Sequence, residues 1–384
     1  MEPALHRLID TLAGEKGATA FMAQLGRRAD EMNTRQVAAL AAAVAAAADS
    51  HPDEVDTYAY IYDSVRSLLI AAPGPESLRR LLHLPTALRP DAELRAAELL
   101  AEELADTRSA DELADTVFTG PLHRPSLHEL RVCLLQELVL RSVQINEIPH
   151  LAAFAASPAA AQHPLGRLPA TLLAVERGVA ELVTAEQHLG WPTPLNPYRR
   201  ADAAERSPAP HTGGAYRLAE VRDPAQRVAI GTAVQHWSGI SNARITAQIF
   251  AVNREVDPHD IDAVFAGLPL ECAPEGAGTL TPLLDTTATT ALCVLFLAAS
   301  SGGAYGGRRG NGYARLAAWE SMAALAGTPA AAPFADLAAQ AEETHWYLFD
   351  TQGPWFYRVA WDVTMAALRP GRRELAVLAA TDTD

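Results

Sequence analysis

The chain has 384 residues, and its 46 acidic and 31 basic side chains give a formal net charge of −15. Nucleic-acid phosphates and anionic lipids repel so acidic a protein, which excludes general binding to either. The hydrophobic fraction of 49% is enough for extensive cores, and the length allows two domains of ordinary size.

The three cysteines, Cys133, Cys272 and Cys293, are far apart and odd in number. This usage argues against a disulfide framework and is typical of the reducing cytoplasm. The sequence contains no CxxC pair, which is the usual sign of a zinc site with thiolate ligands. Its N-terminal stretch lacks a signal-peptide pattern. The longest apolar run, 291–299, is much shorter than the ~20 residues of a membrane span. We therefore predict a cytoplasmic protein without a membrane segment or a metal site; the pattern identifies no cofactor.

Residues 1–190 are predicted to be helical almost throughout. Leucine and alanine recur at spacings of three and four, and turns with proline or glycine separate the runs. Thr34 is the expected N-cap of one of these helices. Successive helices of this kind form an irregular α-solenoid or a bundle, and the sequence leaves both open.

The composition changes after a stretch with five prolines at 191–214, which we interpret as a linker. Residues 215–384 alternate with period two in "SNARITAQIFAVN", "THWYLFDT", "PWFYRVAWDVTMAAL" and "RRELAVLAAT", where "RPGR" at 369–372 predicts a hairpin turn. Helices are expected at 257–267, at 285–299 with Asp285 as the cap, and at 312–326. The predicted fold class is α+β, with a mainly antiparallel sheet in this second domain.

The segments "HWSGISNARITAQIF", "LPLECA", "LFLAASSGGAYGGRRGNGYARLAAWESMAALAG" and "LAVLAATDTD" are similar to a family of uncharacterised actinobacterial proteins, a domain of unknown function. The resemblance covers roughly residues 230–384. It implies a cytoplasmic actinobacterial protein, and it supplies no catalytic residues because the family has no established activity.

The most unusual stretch is "SSGGAYGGRRGNGY", residues 300–313, between two predicted helices. Glycines let the main chain approach a ligand, the first amides of a helix attract anions, and arginine binds carboxylate or phosphate bidentately. The pattern matches neither a Walker A loop nor a dinucleotide-binding loop. A structural or mobile loop and a contact with a partner protein are the alternatives.

The anion hypothesis predicts a ligand-binding set from this loop and from the "HWSGISNAR" segment. Its members are Ser301, Gly302, Gly303, Tyr305, Arg308, Arg309, Asn311, Tyr313 and Asn242. His236 in the same segment is the one candidate acid or base. The alternative hypothesis is that "HWSGISNAR" has only a structural role, as an aromatic anchor followed by a turn.

Three other groups have simple structural explanations. Asp257 and Pro258 in "EVDPHDID" are expected to start a helix rather than to bind a metal. Cys272 beside Glu271 is expected to be a buried thiol rather than a nucleophile. The tyrosines of "YAYIYD", at 58, 60 and 62, spread around a helix, so packing is favoured over recognition.

Three functional hypotheses follow from these observations. The first is a module that binds a small anionic or polar ligand at the glycine loop. The second is an enzyme whose site lies between this loop and "HWSGISNA". The third is an adaptor or immunity-type protein that binds a protein partner through its helical surface.

Overall fold

The structure is a computed structural model that describes residues 15–28, 32–122, 124–189, 204–205, 216–239, 241–273, 283–329, 331–351, 353–358 and 361–383. The chain divides into two compact units. Unit 1 comprises Met1–Val139 and Val143–Ala170, and unit 2 comprises Leu140–Ser142 and Thr171–Asp384. The predicted linker at 191–214 lies outside the described residues apart from Ala204–Glu205, so it stays a prediction.

Unit 1 consists of helices in its described part, as the leucine and alanine spacing predicts. They are α1 (Glu15–Arg28), α2 (Thr34–Ser50), α3 (Val55–Ala71), α4 (Pro75–His83), α5 (Glu93–Thr107), α6 (Ala110–Thr116), α7 (Pro125–Leu140), α8 (Pro149–Ala155) and α9 (Pro158–Ala161). Asn33, not Thr34, caps α2: its side chain accepts from the amide of Gln36, whose side chain accepts from the amide of Asn33.

Buried arginines satisfy carbonyl groups at the ends of the unit 1 helices. The Arg108 guanidinium donates to the carbonyls of Leu69, Ile70 and Ala72 at the end of α3. Arg131 in α7 does the same for the carbonyls of Val117 and Thr119 after α6. The last carbonyls of a helix have no partner within it, so these contacts replace water at buried helix ends.

Unit 2 is an α+β fold, as predicted. Its helices are α10 (Arg177–Leu189), α11 (Pro224–Ile230), α12 (Ile261–Ala266), α13 (Ala288–Ser300), α14 (Asn311–Ala326) and α15 (Phe334–Glu343). Its strands are β1 (Ala204–Glu205), β2 (Leu218–Glu220), β3 (Arg244–Val252), β4 (Leu284–Thr286), β5 (His345–Leu348), β6 (Trp361–Leu368) and β7 (Glu374–Asp382).

These strands form one antiparallel sheet in the order β1-β4-β5-β6-β7-β3-β2. The expected hairpin at 369–372 joins β6 to β7, and Gly371 has the positive φ of 82° that such a tight turn favours. In this sheet, β3, the first long strand among the described residues, pairs with β7, the last one. This pairing brings the segment before β3 close to the C-terminal end of the chain.

Both faces of the central strands are buried. α11 and α14 pack on one face, and α12 with its flanking segments covers Phe250, Leu375 and Val377 on the other. Two polar side chains of β3 are buried too: Thr246 donates to Glu271, and Gln248 donates to the carbonyl of Pro269. The alternating pattern predicts that these polar side chains face solvent. They are instead satisfied by hydrogen bonds to the segment that covers the sheet.

α13 is apolar on all sides, and every residue from Thr290 to Ser300 is buried. α14 is almost as deeply buried, although it carries Arg315, which is 1% exposed. The Arg315 Nε atom lies 2.6 Å from Glu176 Oε1, and Trp319 Nε1 donates to the same carboxylate at 2.7 Å. This ion pair neutralises a charge that the core would not otherwise tolerate.

Two local predictions for unit 2 are wrong. Thr287, not Asp285, caps α13 by accepting from the amide of Thr290, while Asp285 belongs to β4. The strand expected from Trp355 begins at Trp361, because Arg358 takes a left-handed φ of 59° that interrupts an extended chain.

Candidate functional site

The glycine loop, residues 300–313, is fixed to one end of the sheet by three hydrogen bonds. His236 Nε2 lies 2.6 Å from the carbonyl oxygen of Ser301. Trp361 Nε1 donates to the carbonyl of Gly303 at 3.1 Å. The carboxylate of Asp382 accepts from the amide of Ala304 at 2.6 Å. We call the loop with His236, Trp237, Trp361 and Asp382 the loop cluster.

The sheet register explains why these residues meet. Trp361, the first residue of β6, pairs with Asp382, the last residue of β7. At the same end, Arg244 begins β3 opposite Thr381. His236 and Trp237 lie in the 3-10 helix Gln235–Gly239 shortly before β3. The antiparallel arrangement thus brings three distant parts of the chain to one end of the sheet, beneath the loop.

At two positions of the loop, a side chain would clash with neighbouring atoms, so glycine is required there. A Cβ atom on Gly302 would lie 1.6 Å from the carbonyl oxygen of Gly306, whose amide donates to the carbonyl of Gly302. Gly303 has a φ of +68°, and a Cβ there would lie 2.3 Å from Asp382 Oδ2 and 3.2 Å from Trp237 Cδ1. The first half of the loop is therefore a tight turn packed directly on Asp382 and Trp237.

The second half of the loop carries its positive charge. Arg308 and Arg309 are half-buried, and the Arg309 guanidinium lies 5.2 Å from the centre of the Tyr313 ring. They precede α14, and the N-cap residue of this helix is Gly310, which has no side chain to cap it. Tyr305, at the turn between the two halves, is 66% exposed. The cationic groups thus stand beside the positive end of a long helix.

The other predicted ligand-binding residues are placed differently. Ser301 is buried, and its hydroxyl donates to the carbonyl of Ala298. Asn311 is buried at the first position of α14. Asn242 is exposed two residues before β3, and no hydrogen bond among the described residues joins it to the loop. A hydrogen bond thus joins His236 to the loop, and none joins Asn242 to it among the described residues.

Among the residues that flank the loop, two buried polar atoms lack a hydrogen-bond partner in the part of the chain that the structure describes. They are Asp382 Oδ1 and Trp237 Nε1, and both side chains have 0% exposure. Such atoms carry a desolvation penalty of roughly 1–3 kcal/mol each. Both side chains lie against Gly303, where an added Cβ would meet Asp382 Oδ2 and Trp237 Cδ1.

Comparison with known proteins gives the chain a family. A family model matches residues 19–384, nearly the whole sequence. The chain belongs to this family, the family of unknown function DUF6183. No curated protein and no solved structure gives a significant match. The DUF6183 match includes the helical unit 1, well beyond the C-terminal segments that carry the resemblance in the sequence.

Sequence reasoning about the DUF6183 chain missed Trp361 and Asp382 as members of the loop cluster. Trp361 appears in the sequence only as one of several aromatic residues with strand spacing. Asp382 is a polar residue at the end of an apolar strand, which is a weak sign of a special role. Nothing in the sequence indicates that either residue contacts a loop about sixty to eighty positions earlier.

The geometry also decides which nitrogen of His236 carries the proton. Its Nε2 atom faces a carbonyl oxygen, which only accepts hydrogen bonds, so Nε2 must be the donor. In the neutral ring Nδ1 is then the basic nitrogen.

A second polar region of unit 2 is an open cleft of about 620 Å³ at the start of α11. It is lined by Glu220, Arg222, Asp223, Pro224, Arg227 and Glu271. Arg227 Nη2 lies 2.7 Å from Glu271 Oε1. Partial burial raises the pKa of Glu271, but hydrogen bonds from Thr246 and Arg227 outweigh it, so the net pKa is lowered. The cleft contains mutually paired charges of both signs.

The remaining candidates have structural roles. Asp257 caps the turn that begins with Pro258 by accepting from the amide of His259, as predicted. Cys272 is fully buried, and burial raises the pKa of its thiol to about 12, which disfavours a nucleophilic thiolate. Tyr58 and Tyr62 are buried in α3, while Tyr60 is 62% exposed. No described helix is long and apolar enough to cross a membrane.

Proposed function

We propose that the loop cluster binds a small anionic or polar molecule, with Arg308 and Arg309 as the groups that bind negative charge. The observation that supports this most strongly is the anchoring of the glycine loop by His236, Trp361 and Asp382. The amide of Arg309 also donates to the carbonyl of Ser300 at 3.0 Å, so the main chain is fixed on both sides of the turn, which lowers the entropy cost of binding.

The charge distribution supports the same proposal. The chain has a net charge of −15. Among the described residues, the Arg309 guanidinium lies over the ring of Tyr313 and forms no ion pair. A guanidinium stacked on a ring still has N–H groups in its plane for a carboxylate or phosphate. The start of α14 adds the favourable end of the helix dipole.

Asp382 determines which end of the loop receives the anion. Its carboxylate already accepts from the amide of Ala304, so this amide is not available to a ligand. A second negative charge beside it would also be repelled. The anionic group of a ligand therefore belongs at Arg308, Arg309 and the start of α14.

Thermal unfolding with inorganic phosphate, acetate and succinate tests the proposal. A ligand at a hundred times its Kd stabilises the native state by ~2.7 kcal/mol, which raises the unfolding temperature. The variant Arg308→Ala/Arg309→Ala is expected to lose this response. Arg27→Ala/Arg35→Ala is the matched control, because it removes two exposed arginines from unit 1. An equal response of all three proteins, or none in any of them, contradicts the proposal.

A second candidate function, an enzyme, has one specific observation in its favour. The hydrogen bond between His236 and Ser301 joins the glycine loop to the "HWSGISNA" segment and fixes the orientation of the imidazole ring. A general base needs this kind of fixed orientation. For any ligand that the thermal assay finds, turnover by the wild type and its loss in His236→Asn with binding retained supports catalysis. Binding without turnover contradicts it.

We also infer a cytoplasmic location. Cys133, Cys272 and Cys293 are buried, and none of them forms a disulfide bond. Three cysteines outside disulfides are typical of a reducing compartment. Fractionation of cells that express the tagged chain tests this inference, and recovery outside the cytoplasm contradicts it.

A further inference from the structure

The open cleft at the start of α11 brings charged side chains of both signs around one space of about 620 Å³. A volume of this size lies within the range of roughly 300–1,000 Å³ that is typical of small-molecule sites. The acidic lining residues are Glu220, Asp223 and Glu271, and the basic ones are Arg222 and Arg227. With three acids against two arginines, the lining has a net negative charge.

Ionic contacts fix part of this lining before any ligand arrives. The Arg227 guanidinium lies 2.7 Å from the carboxylate of Glu271 and 3.8 Å from that of Glu220. The hydroxyl of Thr246 also donates to Glu271 at 2.8 Å. One arginine is therefore shared by two acids, and this shared pair keeps the Glu220 carboxylate at the cleft.

Arg222 adds an accessible positive charge beside Glu220. Both residues are exposed, and Glu220 is the last residue of β2. The amide of Val221 between them donates to the carbonyl of Ile249 at 2.8 Å, so the chain is still paired with β3 at this point. Residues two apart in an extended chain lie on the same side and are about 6.6 Å apart. A carboxylate and a guanidinium thus line the cleft as neighbours.

This arrangement restricts the chemical class of a ligand. A carboxylate alone meets a lining of net negative charge, and an ammonium ion alone is opposed by Arg222. A small molecule that carries both groups a few ångströms apart meets an opposite charge at each end.

We propose that the cleft binds small amino carboxylates, the class to which free amino acids belong. The ligand ammonium group donates to the Glu220 carboxylate, and the ligand carboxylate accepts from the Arg222 guanidinium, whose paired N–H groups suit this geometry. Arg227 and Glu271 hold the acidic side of the site in place. This site is separate from the proposed anion site at the glycine loop and does not depend on it.

Nuclear magnetic resonance of the isotope-labelled full chain, titrated with alanine, propionate and ethylamine, tests this proposal. Propionate lacks the ammonium group of alanine, and ethylamine lacks its carboxylate. We expect alanine to cause saturable shifts of the Arg222 and Arg227 amides and to bind about tenfold more tightly than either single ion, because it makes both charged contacts.

Two variants assign the contacts. Arg222→Gln is expected to lower the affinity for alanine to that for ethylamine, and Glu220→Gln to lower it to that for propionate. Arg217→Gln is the matched control, because Arg217 is an exposed arginine just before β2 that does not line the cleft. This control should keep the wild-type preference for alanine.

The outcomes are distinct. Equal affinity for the three molecules, or no saturable shift at the cleft, overturns the proposal, and so does a preference for alanine that survives in both variants. Circular dichroism identifies a misfolded variant, and the other variant then decides. Shifts of Asn311 and Gly312 with propionate report the glycine loop separately, so either site can fail without the other.

Discussion

The carboxylate of Asp382, the last residue of β7, accepts a hydrogen bond from the amide of Ala304 at 2.6 Å. A hydrogen bond to a carboxylate is in general stronger than one to a neutral acceptor. We expect Asp382→Asn to raise hydrogen exchange across residues 301–307 by about tenfold, the equivalent of ~1.4 kcal/mol. Mass spectrometry measures this exchange. Asp336→Asn, at an exposed position in α15, is the control. Unchanged exchange in Asp382→Asn means that the bond does not hold the loop.

Gly303 and Gly307 allow a matched test of the loop geometry. An alanine at Gly303 must adopt a left-handed φ, which costs roughly 1–2 kcal/mol, and must also displace Asp382. An alanine at Gly307 meets no atom within 4 Å. Chemical denaturation is therefore expected to show a loss of about 2 kcal/mol or more for Gly303→Ala. Gly307→Ala should unfold at the wild-type midpoint or slightly above it. Similar midpoints for both variants contradict this geometry.

The buried ion pair between Glu176 and Arg315 is expected to dominate the electrostatic stability of unit 2. Glu176→Gln leaves a guanidinium buried without its counter-ion, and we expect a loss of roughly 3–5 kcal/mol in the free energy of unfolding. Glu255→Gln makes the same chemical change in an exposed pair with Arg372 and should cost less than ~1 kcal/mol. Urea denaturation compares the two. Equal losses would show that burial of the pair has no effect.

Glu271 gives unit 2 a specific pH dependence. Burial opposes its ionisation, but the hydrogen bonds from Thr246 and Arg227 hold the folded-state pKa below the ordinary value of 4.5. Its contribution to stability is therefore present above pH 4.5 and is lost as the pH falls through the lower folded-state pKa. We expect Glu271→Gln to be less stable than the wild type at pH 7, with a difference that shrinks in acid. Denaturation at pH 7, 5, 4 and 3 measures this. A constant difference at all four values rules out this carboxylate as the cause.

Local patterns predict much of unit 2, but long-range contacts decide the loop cluster. The all-apolar run 291–299 indicates a core helix, and "RPGR" indicates the hairpin, because both signals are local. The positions of the N-cap of α13 and the start of β6 depend on neighbouring β4 and on the left-handed Arg358, which the sequence does not show.

The candidate site illustrates the same limit. The composition of "SSGGAYGGRRGNGY" is enough to single out the loop and its two arginines. The role of Gly303 becomes clear only when Asp382 and Trp237 are seen against it. Those contacts depend on the pairing of β3 with β7 and of β6 with β7, and sheet order is a property of the whole domain.

The most direct test of anion binding at the glycine loop is a titration of isotope-labelled protein with phosphate, followed by nuclear magnetic resonance. The account predicts saturable shifts of the Arg309 side-chain N–H and of the amides of Asn311 and Gly312 at the start of α14, with little change in the amide of Ala304, which Asp382 occupies. Saturable shifts confined to other parts of the chain, or none at millimolar phosphate, would contradict it.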